Sequence, residues 1–196
     1  MNKRCLLMCA AGLPLVLLFS SCQARQPAPP AQTQYEAVAT IKDIMDSMVD
    51  PIADVLWESV ATLVTSKGTE DRAPKTDEDW LKVRRGAITL LEATNLLRMP
   101  GRRIAKPGEK SENPAVELEP EEMQALLDKD RETWNKMAHA LHAAASEALR
   151  TIEAKNAQGL MDAGEQIDSA CENCHLKYWY PNQVIPEFPK NLPASN

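Results

Sequence analysis

Near its C-terminal end the chain reads Cys171-Glu172-Asn173-Cys174-His175. Two thiols separated by two residues and followed at once by an imidazole can do three kinds of chemistry. They can add to the vinyl groups of a haem as thioethers while the histidine bonds the iron, which is the attachment signature of c-type haem. They can cycle between dithiol and disulfide, which calls for a strand before the motif and a βαβ setting. They can bind zinc, which calls for four ligands. No strand pattern precedes the motif, and the remaining imidazoles, His139 and His142, fall on a different predicted helix. A disulfide within the motif would close a very small loop and stabilise little. The expectation is therefore one covalent haem c on Cys171 and Cys174 with His175 on the iron; a chance cysteine pair is the residual alternative.

The elements that must hold this motif read as helices. Ile41, Met45, Met48, Ile52 and Val55 recur at helical spacing across 36–65, with Pro51 placed to kink or break the run. A polar loop covers Ser66 to Lys75. Thr76 with Asp79 three residues on is a capping-box start. From it Trp80, Val83, Ala87, Leu90, Thr94 and Leu97 follow steps of three and four until Pro100-Gly101. Residues 102–119 form a long aperiodic connection, and Pro120 opens a third helix. Its stripe is Met123, Leu127, Asp130, Trp134, Met137, Leu141, Ala144 and Ala148, with Asp130 the one polar member. A fourth stripe runs Ala157, Leu160, Gly164, Ile167, Cys171, Cys174 and Tyr178, and Pro181 stops it. No strand is expected, and there is no solenoid repeat. Four amphipathic helices of similar length imply an all-α fold, an antiparallel four-helix bundle over 36–181 with a shared core. Cys171, Cys174 and His175 then share one side of the last helix, which would set the haem inside one end of the bundle. Trp57, Trp80 and Trp134 read as packing residues, not as an electron path.

A four-helix chain with C-x-x-C-H on its last helix resembles the class II c-type cytochromes, the cytochrome c′ and cytochrome c556 group, over about residues 36–181. The resemblance implies up-down-up-down topology and one of two iron states. The c556 type has a methionine sixth ligand and transfers electrons, whereas cytochrome c′ proteins are often five-coordinate and bind small gases. The first expectation is a periplasmic mono-haem carrier of single electrons, and the alternative is a five-coordinate protein that binds or senses NO or CO. Nothing in the sequence suggests a substrate pocket or an acid–base pair, so an enzyme is not expected.

Counting within that topology singles out a sixth ligand. The fourth helix ends where the first begins, and His175 lies roughly 9 Å before the stop at Pro181, at about 1.5 Å per residue. The same depth on the first helix, started near Tyr35 or Glu36, falls around 41–45. Met45 is the expected ligand and Met48, one turn deeper on the same face, the runner-up; the alternative is that both only pack on the porphyrin. Met99 and Met123 sit on helices the family does not use for this bond. His139 and His142, counted from Pro120, fall roughly 30 Å from the haem end. Arg98, Arg102, Arg103, Lys106 and Lys110 make a basic run near that end, where Arg102 or Arg103 could pair with a haem propionate. Asn95 could support the site from behind.

Lys3 and Arg4 precede an uncharged stretch from Cys5 to Ala24 that is strongly apolar from Leu6 to Phe19. Short for a span and interrupted by Gly12 and Pro14, it reads as an export signal over 1–21. Its end, Leu18-Phe19-Ser20-Ser21-Cys22, resembles a bacterial lipobox with Phe19 where Leu is usual; Cys22 would carry lipid and become the mature N-terminus. Ordinary cleavage after Ala24 is the alternative. An Asp directly after the acylated Cys commonly retains bacterial lipoproteins in the inner membrane, and Gln23 stands there, which points to the outer membrane. Residues 22–35 read as a flexible tether and 182–196 as an irregular tail. Export agrees with haem attachment, which happens outside the cytoplasm. The formal charge of −6 over 196 residues becomes −8 once Lys3 and Arg4 leave; that excess argues against nucleic-acid binding. The length suits one core. The expected partners are periplasmic redox proteins and a membrane, reached through the lipid anchor; homodimerisation stays open.

Overall fold

The computed structural model describes residues 36–183. The expected signal 1–21, the tether 22–35 with Cys22, and most of the tail 182–196 lie outside the described residues. Helices carry the core, and the strands among the described residues form one small hairpin.

The first helical segment is composite. α1 (Ile41–Ile44) opens on Thr40, whose hydroxyl accepts from the Asp43 amide while the Asp43 carboxylate accepts from the Thr40 amide. A π-helical turn (Met45–Val49) follows, closed by the Asp50 N–H donating to the Met45 carbonyl. α2 (Asp50–Ser59) then begins with Pro51 in its first turn. Pro51 has no N–H for the Ser47 carbonyl and its ring crowds that carbonyl; the wider π turn stands directly ahead of it. The helix expected to reach 65 stops at Ser59. Val60 is extended (φ −135°, ψ 124°), and β1 (Ala61–Thr65) pairs antiparallel with β2 (Gly68–Arg72) from Ala61↔Arg72 to Thr65↔Gly68. The β-branched run Thr62, Val64, Thr65 favours extended backbone, and Gly68 takes φ 124°, open to glycine without strain. The expectation of no strand is thereby corrected, although the hairpin lies on the surface and adds little to the core.

α3 (Asp77–Leu97) starts in the expected capping box, and all six residues of its predicted stripe are buried. The third helix is two helices. α4 (Pro120–Lys129) ends at Asp130, whose backbone (φ −141°, ψ 65°) leaves the helix and whose carboxylate caps α5 (Arg131–Glu153) by accepting from the Thr133 amide. The single polar member of the stripe is thus the break. α6 (Ala157–Tyr178) is capped by Asn156.

α5 packs on α3 and α6, α2 packs on α3 and α6, and α1 with the π turn leans on α3. Two indoles tie these pairs: Trp57 Nε1 donates to the Gly164 carbonyl at 3.0 Å, and Trp134 Nε1 to the Leu97 carbonyl at 2.9 Å. A Cβ on Gly164 would meet Trp57 Cδ1 at 3.2 Å, so glycine sets this close approach. The aperiodic stretch 102–119 is firmly attached. The amides of Ile41 and Lys42 at the start of α1 donate to the carbonyls of Arg103 and Ile104, and the Leu118 amide donates to the Trp179 carbonyl. Among the described residues no helix is long and apolar enough to cross a membrane.

At this same end Lys106, hydrogen-bonded at 2.8 Å, and then Thr40 hold the Asp43 carboxyl down at about 2. Folding lowers this pKa, so its contribution is complete above about pH 4 and is lost as the pH falls towards 2. Asp43→Asn is expected to flatten that part of the stability profile, read by thermal unfolding of both proteins from about pH 6 to pH 2. Identical slopes in the two would contradict it.

Candidate functional site

Cys171, Cys174 and His175 occupy the last turns of α6, and all three are half-buried. Both thiols pack against the core and neither is in a disulfide. Residues three and four apart on a helix lie on one face with about 5–6 Å between their Cβ atoms, so the two sulfurs and the ring form one short row. Burial pushes the Cys171 thiol up to about 12 and the Cys174 thiol to about 11, with Cys174 and nearby carboxylates adding to the first. That is the reverse of the lowered pKa that activates a redox dithiol. The motif also follows a helix and not a strand. Among the described residues no three His, Cys, Asp or Glu side chains gather as a metal site.

Burial pushes the pKa of His175 down, against the opposing pull of Asp50 and Glu172. Its ring meets Trp179 edge-on at 5.0 Å and Tyr180 at 5.7 Å between centroids. The His175 carbonyl accepts from the amides of both Trp179 and Tyr180, which folds the chain back over the end of α6 before Pro181. Tyr180 Oη is thereby brought 2.7 Å from Glu172 Oε2 and 3.3 Å from His175 Nδ1. Beside Cys174, the buried hydroxyl of Tyr178 has no hydrogen-bond partner among the described residues, and its ring stands edge-on to Trp134 at 5.0 Å.

Met45 and Met48 both lie in the π turn, half-buried and packed on the core. Arg102 is 4% exposed and acts as a clamp. Its Nε donates to the Leu96 carbonyl at 2.9 Å, its Nη1 to the Ala39 carbonyl, and its Nη2 to Met99 Sδ at 3.1 Å. These contacts engage the guanidinium on protein atoms, whereas Arg103 is exposed. Lys106 is paired with Asp43 and Lys110 with Glu119. Asn95 is exposed and turns to Glu92 on its own helix.

The two remaining histidines are nearer this end than counting from Pro120 gives. α5 starts only at Arg131, so they lie roughly 12 and 17 Å along it. Face keeps them from the motif: His142 Nδ1 is 2.8 Å from the hydroxyl of the buried Thr94 on α3, and His139 is exposed and stacks on His142 at 5.9 Å. A cleft of about 430 Å³ between α2 and α6, lined by Trp57, Met161 and Gly164, reaches along α6 only to Asp168 and Ser169, short of Cys171.

The donor set fits a c-type haem: two thiols outside any disulfide and an imidazole in one row on a half-buried face. Comparison with models of protein families, with curated proteins and with solved structures finds no match to this chain. Sequence reasoning did not single out Glu172, Tyr180 or Asp50 as neighbours of His175. The first two could have been suspected, because a tyrosine directly before the helix-stopping Pro181 has only a short way to fold back.

Proposed function

We propose that the chain is a periplasmic mono-haem c-type cytochrome of the class II kind, built as an up-down-up-down four-helix bundle and passing single electrons between periplasmic partners. Its four bundle members would be the composite first segment through α2, then α3, α5 and α6, and the pairwise packings among these four support that reading. The observation that carries the proposal is the row of Cys171, Cys174 and His175, half-buried at the end of α6 with both thiols outside any disulfide.

Haem bound there would supply an iron that alternates between Fe(III) and Fe(II). The chain's part is to hold and enclose it. Cys171 and Cys174 would each add S–H across one vinyl group, a step that needs no oxidant. His175 would offer Nε2 to the iron, and Met45, with Met48 as the runner-up, would offer a thioether sulfur to it. Arg103 is the candidate for a propionate, since the guanidinium of Arg102 is engaged with Leu96, Ala39 and Met99. The role is electron transfer and not catalysis. An absorption spectrum of the reduced protein, with and without carbon monoxide, tests it. Low-spin bands indifferent to the gas are expected; high-spin bands that shift with it would favour the gas-binding alternative, and absence of haem bands would overturn both.

For the anchor, lipid on Cys22 would leave the protein on the periplasmic side of the outer membrane. Cys22→Ala is expected to move the protein from the membrane fraction to the soluble periplasm. A soluble wild type beginning at Arg25 would contradict the lipid anchor.

A further inference from the structure

We propose that Glu172 and Tyr180 form a hydrogen-bond relay to His175 Nδ1 that orients the imidazole and lowers the reduction potential of the iron it binds. The inference rests on the haem reading above and adds two positioning residues to it. The Tyr180 hydroxyl donates to Glu172 Oε2 at 2.7 Å, which leaves its oxygen lone pairs to accept from the ring. The His175 Nδ1, at 3.3 Å from that oxygen, is then the protonated nitrogen, and Nε2 keeps the lone pair a metal needs.

The arrangement is built in by the backbone. Glu172 is one turn before His175 on α6, while Tyr180 is returned to the same spot by its amide, which donates to the His175 carbonyl at 3.0 Å. The Gln183 amide donating to the Tyr180 carbonyl closes the turn around Pro181. The ring of Tyr180 packs against both His175 and Trp179, so the hydroxyl is held by the aromatic cluster and not only by its hydrogen bonds. The half-buried setting matters, because a carboxylate acting through one hydroxyl is less screened there than in bulk water. Negative charge relayed to the imidazole makes it a stronger donor, and a stronger donor favours Fe(III) over Fe(II).

The test is a redox titration of the haem-loaded full chain in the wild type and four variants. Tyr180→Phe keeps the ring and deletes the hydroxyl; Glu172→Gln keeps the shape and deletes the charge. Each is expected to shift the Fe(III)/Fe(II) equilibrium towards Fe(II) by up to about tenfold, about 59 mV for one electron. The double variant should shift it no further than the larger single, since both act on one chain of contacts. Glu172→Asp should retain most of the wild-type potential. In the reduced protein the His175 Nδ1 proton should exchange with solvent faster in Tyr180→Phe than in the wild type. Covalent haem with an unchanged potential in Tyr180→Phe and Glu172→Gln overturns the relay and leaves the haem reading intact. A wild type that takes up no covalent haem overturns both.

Discussion

Replacing Cys171 and Cys174 together with Ala is expected to give a chain that carries no haem through denaturing electrophoresis, while wild type matured in the periplasm stains for it. The two sulfurs would be the covalent links, and nothing else in the site would survive loss of the fold. An axial bond from His175 depends on α6 and on the turn at Tyr180, both of which denaturant removes. Either single variant keeps one thioether and should stain weakly, so the double variant gives the cleaner result. Both sulfurs pack against the core, and helical content therefore has to be followed in parallel; the core residues on α6 above the motif, Leu160, Ala163 and Ile167, are untouched and buried. Haem released from the wild type by acid–acetone extraction would rule out a covalent link, as would undiminished staining in the double variant.

How much of this was legible in the sequence differs element by element, for physical reasons. α3 was fully legible because its signals agree: a capping box at Thr76, an unbroken stripe, and a stop at Pro100-Gly101. The stripe of α6 was legible for the same reason, and with it the placement of the motif on a half-buried face. The hairpin after Ser59 was not. Leu63 and Val64 continue the apolar spacing of α2, and only the β-branched run and Gly68 favour extended chain, a preference that sequence weighs poorly against periodicity. Asp130 stands out in the sequence as the polar member of its stripe, but whether a polar residue is a solvated intruder or a cap depends on the backbone turning there. Arg102 sits in a basic run that reads as solvated surface. It is buried because residues 102–105 tuck beneath the first turn of α1, where Ile104 and Ala105 are also buried, and no local pattern encodes such a contact. The neighbours of His175 were missed because Tyr180 reaches the ring through a turn that forms only once α6 has ended.

Met45→Ala is expected to convert the haem from low to high spin and to open it to carbon monoxide, and the register of the helices argues for this residue over Met48. Trp57 and Gly164 are joined by a hydrogen bond, which fixes one level shared by α2 and α6. From Gly164, His175 is eleven residues further along α6, roughly 16 Å at 1.5 Å per residue. The first segment runs the other way, so the matching level lies about eleven residues before Trp57. Met45 is twelve before it and Met48 only nine. Asp50 supports this count: it is seven before Trp57, Cys171 is seven after Gly164, and the two are close enough for the Asp50 charge to raise the Cys171 pKa. The π turn adds a reason of its own. A carbonyl bonded five residues on, instead of four, widens the turn, and Met45 is the residue whose carbonyl closes it. Met48→Ala is the control and should leave the spin state unchanged while loosening the packing beside it. A methionine opposite a histidine raises the potential, so Met45→Ala should also lower it, the opposite direction to Tyr180→Phe. A low-spin spectrum that persists in Met45→Ala would exclude this residue as the ligand, and its loss in Met48→Ala would transfer the assignment one turn deeper.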